Sequence, residues 1–346
     1  MNSPGTTSQP WEGWLEVIAP GLLTTVQDTR GRPDLARYGV PTAGAMDPFA
    51  AAAANALVGN EHDAAVLEVT IVGPTLRFTT HTAMALAGAD LSAAVDGQPV
   101  QPGWSWLVRA GSIVSFGDRR SGARAYVACA GGLDVPAILG SRSADVRAGF
   151  RGLAGRPLRA GDRVPIRPAA DLVSRCGRYL AAAAAASGDP GQPLRVLPGP
   201  HMDRFARDAL DNLCGAEWSI TDQADRMGYR LAGPRLRHAD GADVASLGLP
   251  LGSVQVPGNG QPIVLLADHQ PTGGYTVPAC VIRADVPLLA QRGPGETVRF
   301  VWTTPAEARE ALRAQHAALL AVEHDTTTWA GLRWAESGGQ AVGSGY

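Results

Sequence analysis

Short runs of apolar and β-branched residues, each closed by glycine or proline, fill most of residues 65–166. Such runs are too short for helices and have the alternating pattern of half-buried strands. Glycine (42) and proline (26) together make up about a fifth of the 346 residues, so turns must be frequent throughout the chain. The pattern therefore predicts a meander of short strands, with examples at 65–72, 75–79, 104–109, 112–116 and 124–128.

Two segments carry the start signals of helices. Asp47 precedes Pro48 and an alanine-rich run that stops at Gly59, which supplies an N-cap, a proline at the first helical position and a glycine stop. Thr304 is followed by a proline and then by Glu307, which is the spacing of a capping box before an amphipathic run. Both segments are therefore predicted to be α-helical.

The length and the order of these segments predict two domains. A chain of 346 residues corresponds to about two domains at roughly 150 residues each. Residues 171–193 are rich in alanine, glycine and proline and lack strand alternation, so we predict a linker there. The N-terminal domain is assigned to 12–170 and the C-terminal domain to 194–322, which opens with a strand and a helix at about 202–213. Both halves mix one or two helices with many strands, so the predicted fold class is mainly β with α, or α+β.

The sequence contains no lysine, because all 30 basic residues counted as Lys or Arg are arginine. A Schiff base, a Walker-type phosphate loop and a covalently biotinylated carrier all need a lysine amine. The chain therefore cannot supply any of these groups by itself, and any biotin is not covalently attached to it.

Composition also limits the partners. The net charge of −2 gives no reason to expect nucleic acid, whose phosphates attract a basic face. The four cysteines lie far apart without a C-x-x-C pair, so neither a zinc site nor a disulfide framework is predicted. Residues 1–12 lack the pattern of a signal peptide, and no apolar run approaches the roughly 20 residues of a bilayer span. We expect a cytoplasmic protein that binds a small molecule or another protein, with no nucleic acid and no membrane.

The first of three polar segments joins a predicted strand at residues 24–28 to the N-terminus of the first helix. It contains Asp28 and Asp47, and the free N–H groups at the helix N-terminus can hold an anionic group. The alternative is that Asp28 only closes a turn and Asp47 only caps its helix. For each aspartate taken alone, the alternative is the simpler interpretation.

The second polar segment is 225–230. Strand alternation would place Asp225, Met227 and Tyr229 on one face and Arg226 on the opposite face. A guanidinium fork suits a carboxylate or a phosphate. A surface ion pair at a strand edge is the alternative interpretation of this segment.

The third polar segment follows a buried strand predicted at 263–267. The loop after it holds Asp268, His269 and the pair Gly273-Gly274. Polar loops on rigid scaffolds are frequent positions of functional sites, and a double glycine allows a close backbone approach to a ligand. A tight turn explains the glycine pair equally well. His269 has neither metal-ligand spacing nor a nucleophile motif nearby, so no metal site is predicted.

Short motifs in these segments and elsewhere together have the pattern of a known family. They are Thr24-Thr25-Val26-Gln27-Asp28, Gly39-Val40-Pro41, Gly44-Ala45-Met46-Asp47, Ala54-Asn55, Leu57-Val58-Gly59-Asn60, Leu67-Glu68, Gly73-Pro74, Asp225-Arg226-Met227-Gly228-Tyr229-Arg230, Gln255-Val256-Pro257, Ala267-Asp268 and Thr272-Gly273-Gly274-Tyr275. With these motifs the chain resembles the C subunit of the bacterial ATP-dependent 5-oxoprolinase, also called KipA or allophanate hydrolase subunit 2, and the second half of the carboxyltransferase domain of urea carboxylase. The sequence departs from that pattern in two places: residues 28–32 are one residue longer than the usual Asp-x-Gly-Arg turn, and Gln270-Pro271-Thr272 replaces the commoner Gln-Thr-Thr.

The resemblance implies two cyclophilin-like β-barrel domains and an enzyme complex. A KipI-like B subunit would complete the active site across an interface, and a third protein, the A subunit, would join them to couple ATP hydrolysis to the opening of 5-oxo-L-proline to L-glutamate. The missing lysine excludes a Walker loop, so ATP with magnesium would be held by another geometry or by the complex rather than by this chain.

The resemblance also implies site residues. Activating an amide oxygen calls for groups that stabilise spreading negative charge, and Arg226 is the best candidate. Asp225 and Asp268, also expected to be catalytic, and Glu68 would orient the substrate or a metal–nucleotide complex. This interpretation predicts that Arg226→Leu abolishes turnover and leaves folding and partner binding intact. The residues expected to bind or orient the substrate are Gln27, Asp28, Tyr38, Met46, Asp47, Glu68, Tyr229, Gln255, Gln270, Thr272, Gly273, Gly274 and Tyr275.

Two other functions fit the same resemblance. A carboxyltransferase or allophanate-hydrolase-type subunit would use carboxybiotin delivered in trans by a separate carrier. A non-catalytic, KipA-like binding protein would antagonise a KipI-like inhibitor and show no turnover.

Overall fold

The computed structural model describes residues 13–181 and 191–324. Four α-helices lie in these ranges: α1 (Pro48–Leu57), α2 (Arg207–Gly215), α3 (Val286–Ala290) and α4 (Pro305–Leu319). The strands are β1 (Trp14–Ala19), β2 (Leu23–Gln27), β3 (Val66–Thr70), β4 (Thr75–Phe78), β5 (Thr82–Asp90), β6 (Ala94–Val95), β7 (Gln98–Pro99), β8 (Trp104–Val108), β9 (Ile113–Ser115), β10 (Ser121–Cys129), β11 (Arg163–Pro165), β12 (Arg178–Tyr179), β13 (Leu194–Pro198), β14 (Trp218–Ile220), β15 (Gly228–Ala232), β16 (Asp243–Gly248), β17 (Ser253–Val256), β18 (Ile263–Leu265), β19 (Thr272–Val281), β20 (Thr297–Val298), β21 (Phe300–Trp302) and β22 (Glu323–His324).

The first half of the chain supplies nearly all of two sheets with a hydrophobic core between them. One sheet has the order β11-β1-β4-β9-β6-β7 and the other the order β2-β3-β10-β5-β8-β12-β22, in which β22 comes from the end of the second half. Strand β5 shows how the second sheet is buried on both faces, because successive side chains point in opposite directions. Its Met84 and Leu86 join the core between the sheets, whereas Ala83, Ala85 and Ala87 pack with the alanine-rich helix α1.

The second half of the chain is built on a nine-stranded sheet. Its order is β20-β14-β15-β18-β17-β19-β13-β21, with β16 paired to β19. The core of this half includes the fully buried Trp218, whose indole N–H donates to the carbonyl of Leu213 at 3.0 Å. A strand-rich architecture with few helices and a nearly closed barrel sheet confirms the predicted fold class.

The two strongest helix predictions are confirmed. Asp47 caps α1 by accepting the Ala50 N–H, and Thr304 with Glu307 forms the capping box of α4. The helix predicted at about 202–213 differs at its start, because 202–204 form a 3-10 turn and α2 begins at Arg207. Its N-cap is Ala206, whose side chain cannot accept a hydrogen bond, so no local signal marked the start.

The segment predicted as a linker, 171–193, is folded where the structure describes it. A 3-10 turn spans Leu172–Arg175, and β12 extends the second sheet by pairing with β8 and with β22. Residues 182–190 of that segment lie outside the described residues. The domain division itself stays a prediction.

The described helices are too short or too polar to span a membrane.

Candidate functional site

One buried arginine joins the two halves of the chain. Arg226 is 6% exposed, and its Nε and Nη2 each donate to a different oxygen of Asp268 at 2.8 Å. Nη1 donates to Glu68 Oε1 on β3, and Nη2 also donates to the carbonyl of Gly44 at 2.6 Å. Four of the five guanidinium N–H groups are thereby used. Burial alone would lower the pKa of Arg226, but attraction to Asp268 and Glu68 more than offsets this effect and raises it.

Glu68 extends this cluster into the first half. Its Oε2 accepts the Met46 N–H and the Tyr126 hydroxyl, both at 2.8 Å. The same hydroxyl oxygen accepts the Asp47 N–H at 2.8 Å. Burial, followed by the negative charges of Glu68 and Asp47, raises the pKa of Tyr126 well above its ordinary value. Tyr126 therefore stays protonated and can donate to Glu68.

The carboxyl group of Asp47 is completely buried at the N-terminus of α1. It accepts the Ala50 N–H and the side-chain amide of Gln291, both at 2.8 Å. Burial is the largest effect on Asp47 and raises its pKa from 3.8 to about 6, although both hydrogen bonds oppose the shift.

This raised pKa predicts a pH-dependent stability. A carboxyl group whose pKa is higher in the folded state stabilises the fold below its unfolded pKa, and that contribution disappears as the pH rises through the folded value. The shift from 3.8 to about 6 corresponds to roughly 3 kcal/mol at 1.36 kcal/mol per unit. The free energy of unfolding of the native chain relative to Asp47→Asn, which keeps a capping oxygen, should fall by about that amount between pH 4 and pH 7.5. Urea unfolding at both pH values measures this, and a constant difference would contradict the assignment.

Gln291 and Arg124 add further buried contacts between the halves. Gln291 Oε1 accepts the N–H groups of Ala123 and Arg124 at 3.0 Å each, and Nε2 donates to the Arg124 carbonyl at 3.0 Å as well as to Asp47. The Arg124 guanidinium donates to the Tyr229 hydroxyl at 2.6 Å. Gln291, Arg124 and Tyr126 were not predicted as site residues. The signal available was an arginine and a tyrosine placed within the otherwise apolar run 123–130.

A cavity of about 390 Å³ lies against this cluster and between the halves. The residues on either side of Gly44 and of Asp268 in the sequence line the cavity. Arg226, which bonds to Gly44 and Asp268, therefore lies directly behind the cavity wall. The lining residues are Thr29, Arg30, Pro33, Ala36, Thr42, Ala43, Ala45 and Pro48 from the first half, and Leu249, Pro250, Leu251, Ala267, His269, Pro271 and Arg283 from the second.

The segment 225–230 does not have the predicted alternation. Strand β15 begins only at Gly228, so Arg226 lies in the bend before it rather than on a strand. Asp225 turns to the surface, where it accepts the Met227 N–H and forms an exposed ion pair with Arg147 at 2.7 Å. The alternative of a surface ion pair thus describes Asp225 and is wrong for Arg226.

The prediction of a loop at 272–275 is also wrong. Thr272, Gly273, Gly274 and Tyr275 begin strand β19, which pairs with β16. A side chain at Gly273 would come within 2.7 Å of Gln255 Nε2 and 2.6 Å of Leu249 Cδ1, so it would have to displace the ends of these two side chains. Gln255 is buried on β17, and its Nε2 has no hydrogen-bond partner in the described part of the chain.

The remaining predicted site residues are placed apart from the cavity lining. Asp28 closes a turn, as its alternative proposed, because its carboxylate accepts the Gly31 and Arg142 N–H groups and the hydroxyls of Ser141 and Ser143. Tyr38 is 68% exposed. Four others are buried or exposed without lining the cavity: Gln27, Met46 and Tyr229 are buried, and Gln270 is exposed.

The cluster is a poor fit for a magnesium ion. Both oxygens of Asp268 and both oxygens of Glu68 already accept hydrogen bonds from protein groups. Across residues 13–181 and 191–324, no three His, Cys, Asp or Glu side chains come together as a metal site requires. Glu68 and Asp268 are thus engaged with Arg226 rather than free to orient a metal–nucleotide complex.

Comparison with known proteins gives consistent results. A family model described as carboxyltransferase domain, subdomain A and B, matches residues 38–302. The chain is 40% identical over 305 residues to the C subunit of the 5-oxoprolinase of Escherichia coli, covering 87% of this chain and 95% of that protein. It is 30% identical to urea amidolyase of Lachancea kluyveri, covering 89% of this chain but 18% of that protein.

Two solved structures are similar over most of the chain. The urea amidolyase of K. lactis matches 90% of this chain with a TM-score of 0.83 and 29% identity, and the chain spans 20% of that protein. The protein TTHA0988 matches 85% of this chain with a TM-score of 0.75 and 38% identity. The chain spans 56% of TTHA0988, so a large part of each of these two proteins has no counterpart here.

Proposed function

The chain belongs to the carboxyltransferase domain family, subdomains A and B, and from that membership we propose that it is the C subunit of an ATP-dependent 5-oxoprolinase. The observation that carries the proposal is 40% identity across 95% of the corresponding E. coli 5-oxoprolinase chain. The proposed reaction opens 5-oxo-L-proline to L-glutamate in the cytoplasm, together with a KipI-like B subunit and the A subunit.

The chemistry must activate an unreactive lactam. Transfer of the γ-phosphoryl group of ATP to the lactam oxygen turns that oxygen into a leaving group. One water then adds at the ring carbon and the C–N bond breaks, which leaves an acyl phosphate and a free amine. A second water releases phosphate and gives glutamate. We assign nucleotide and magnesium to the partner proteins, because Glu68 and Asp268 are engaged with Arg226.

The cavity between the halves is the proposed substrate site. Four N–H groups of Arg226 already donate to protein groups, so the guanidinium is not free to bind the reacting oxygen. Its proposed role is therefore positioning rather than direct stabilisation of charge. It holds the Gly44 carbonyl and Asp268 together, and the residues beside both of them line the cavity. A displacement of about 1 Å in such walls can cost roughly a hundredfold in rate.

Reconstitution from purified proteins tests the proposal. We expect no 5-oxoproline-dependent ATP hydrolysis by this chain alone, because the sequence has no phosphate-loop lysine and the buried carboxylates Glu68 and Asp268 are engaged with Arg226. Addition of both partner proteins should give ADP and glutamate in equal amounts. Turnover by the isolated chain, or no turnover by the three proteins together, would contradict the proposal.

A carboxyltransferase is the second candidate, favoured by the 30% identity to a urea amidolyase. It would take the carboxyl group from a biotinylated carrier in trans, since the chain has no lysine to carry biotin itself. Transfer of labelled carboxylate from carboxybiotin carrier protein to urea, measured with the same preparation, separates this reaction from lactam opening. Tight binding to the KipI-like partner without turnover in either assay would instead indicate a KipA-like binding protein.

A further inference from the structure

The cavity between the halves carries positive charge and no carboxylate on its lining. Arg30 comes from the first half of the chain and Arg283 from the second. Arg283 forms no ion pair with any described residue. Arg30 has only Asp34 at 3.7 Å, with both side chains mostly exposed (63% and 82%), and exposed pairs of this kind contribute about 0–1 kcal/mol. Both guanidinium groups are therefore available to a ligand.

The other charged and titratable groups near the cavity are already engaged. His269 is buried and its Nδ1 and Nε2 face the carbonyls of Leu266 and Leu249 at 2.6 and 3.0 Å. The charge of Asp268, behind the wall, is matched by Arg226. The remaining walls are mostly proline, alanine and leucine. The cavity thus combines an apolar body with two exposed cationic groups.

The lining of the cavity comes from parts of the sequence that are far apart. The turn after β2 contributes Thr29 and Arg30, and Pro271, which precedes β19, lines the wall formed by the second half.

We propose that Arg30 and Arg283 together bind the carboxylate of a small cyclic amide acid whose ring packs against the apolar walls. Guanidinium groups suit carboxylates because their N–H donors match the two carboxylate oxygens. The volume of about 390 Å³ falls within the roughly 300–1,000 Å³ range of small-molecule sites. The inference rests on the proposed function, since it takes this cavity as the substrate site of that reaction.

The test compares ligands that differ by one group. Isothermal titration calorimetry of the full chain should detect 5-oxo-L-proline, and 2-pyrrolidinone, which has the same ring without the carboxylate, should bind at least tenfold more weakly. Arg30→Gln and Arg283→Gln should each raise the Kd for 5-oxo-L-proline at least tenfold, which is about 1.4 kcal/mol, and leave the Kd for 2-pyrrolidinone unchanged. Arg313→Gln is the control, because Arg313 lies on α4 with its side chain 74% exposed.

The reconstituted complex supplies a second measurement. Both cavity variants should raise KM with little change in kcat, as expected when an interaction is equal in the ground and transition states. Unchanged Kd and KM in the variants would overturn the inference while leaving the proposed function standing, provided that the complex turns over. Arginine-dependent binding of 5-oxo-L-proline in a complex without turnover would support the inference and reject the proposed function. Inorganic phosphate binding as tightly as 5-oxo-L-proline, with the same loss in both variants, would overturn the carboxylate assignment.

Discussion

Arg226→Leu is expected to lower the free energy of unfolding by about 3–5 kcal/mol, the usual cost of leaving a buried charge without its partner. The substitution leaves the carboxylates of Glu68 and Asp268, which are 1% and 4% exposed, without their cationic partner. This expectation differs from the one drawn from the sequence, in which the variant folds normally. Because unpaired buried carboxylates have raised pKa values, the loss should be smaller at pH 5 than at pH 8.

Urea unfolding at both pH values measures this effect. The matched control is Arg147→Leu, which removes an arginine from the exposed ion pair with Asp225 and should cost about 1 kcal/mol or less. In the reconstituted complex, at a temperature where the variant is folded, kcat should fall roughly a hundredfold if Arg226 positions the cavity walls. Arg226→Lys should recover part of that loss. A destabilisation equal to that of the control and independent of pH would reject the buried ion pairs of Arg226 with Glu68 and Asp268.

Gln291→Ala is the second substitution for which we expect a large effect, a loss of about 3–5 kcal/mol. Its carboxamide makes four hydrogen bonds, three to the backbone of β10 and one to Asp47. The register of β10 against β5 shifts between Ser121 and Ala125, so Gln291 supplies partners that the neighbouring strand cannot. Each buried polar group left without a partner costs roughly 1–3 kcal/mol.

Gln261→Ala is its matched control. Like Gln291 with Arg124, Gln261 bonds to both backbone groups of one residue. It accepts the Gly233 N–H at 2.9 Å and donates to the Gly233 carbonyl at 3.1 Å. These bonds, however, are exposed and lie within one half. Water can replace these bonds, so the free energy of unfolding should change by less than about 1 kcal/mol. Equal effects of the two substitutions in urea unfolding would show that Gln291 does not hold the halves together.

The sequence was most informative where the signal is local. The caps of α1 and α4 depend on residues within one turn, and both were predicted correctly from Asp47, Thr304 and Glu307. Strands in 65–166 were also predictable, because alternation and turn residues are properties of short windows. The start of α2 failed because Ala206 offers no capping side chain.

The candidate site was predictable only in part. Arg226, Asp268 and Glu68 were selected by resemblance, and the structure brings them together. Their burial could not be predicted, since it depends on how residues 42 and 158 positions apart in the chain are packed. Which of the neighbours Asp225 and Arg226 is buried depends on where β15 begins. The alternation pattern placed that start too early. No local sequence signal distinguished Gln291, because the irregular part of β10 to which it bonds lies 167 residues away.

The contacts of Arg226 and Gln291 also limit how a reaction in the cavity can be shielded from water. Many enzymes exclude water by rotating two lobes about a hinge so that the cleft closes over the substrate. Here the two walls are tied by a buried ion pair behind the cavity and by a fully bonded carboxamide beside it. Hinge rotation would have to break both, so the walls form a fixed frame. If the cavity binds a lactam as proposed, we expect its cover to come from a surface other than these two walls, such as one on a partner protein of the proposed complex.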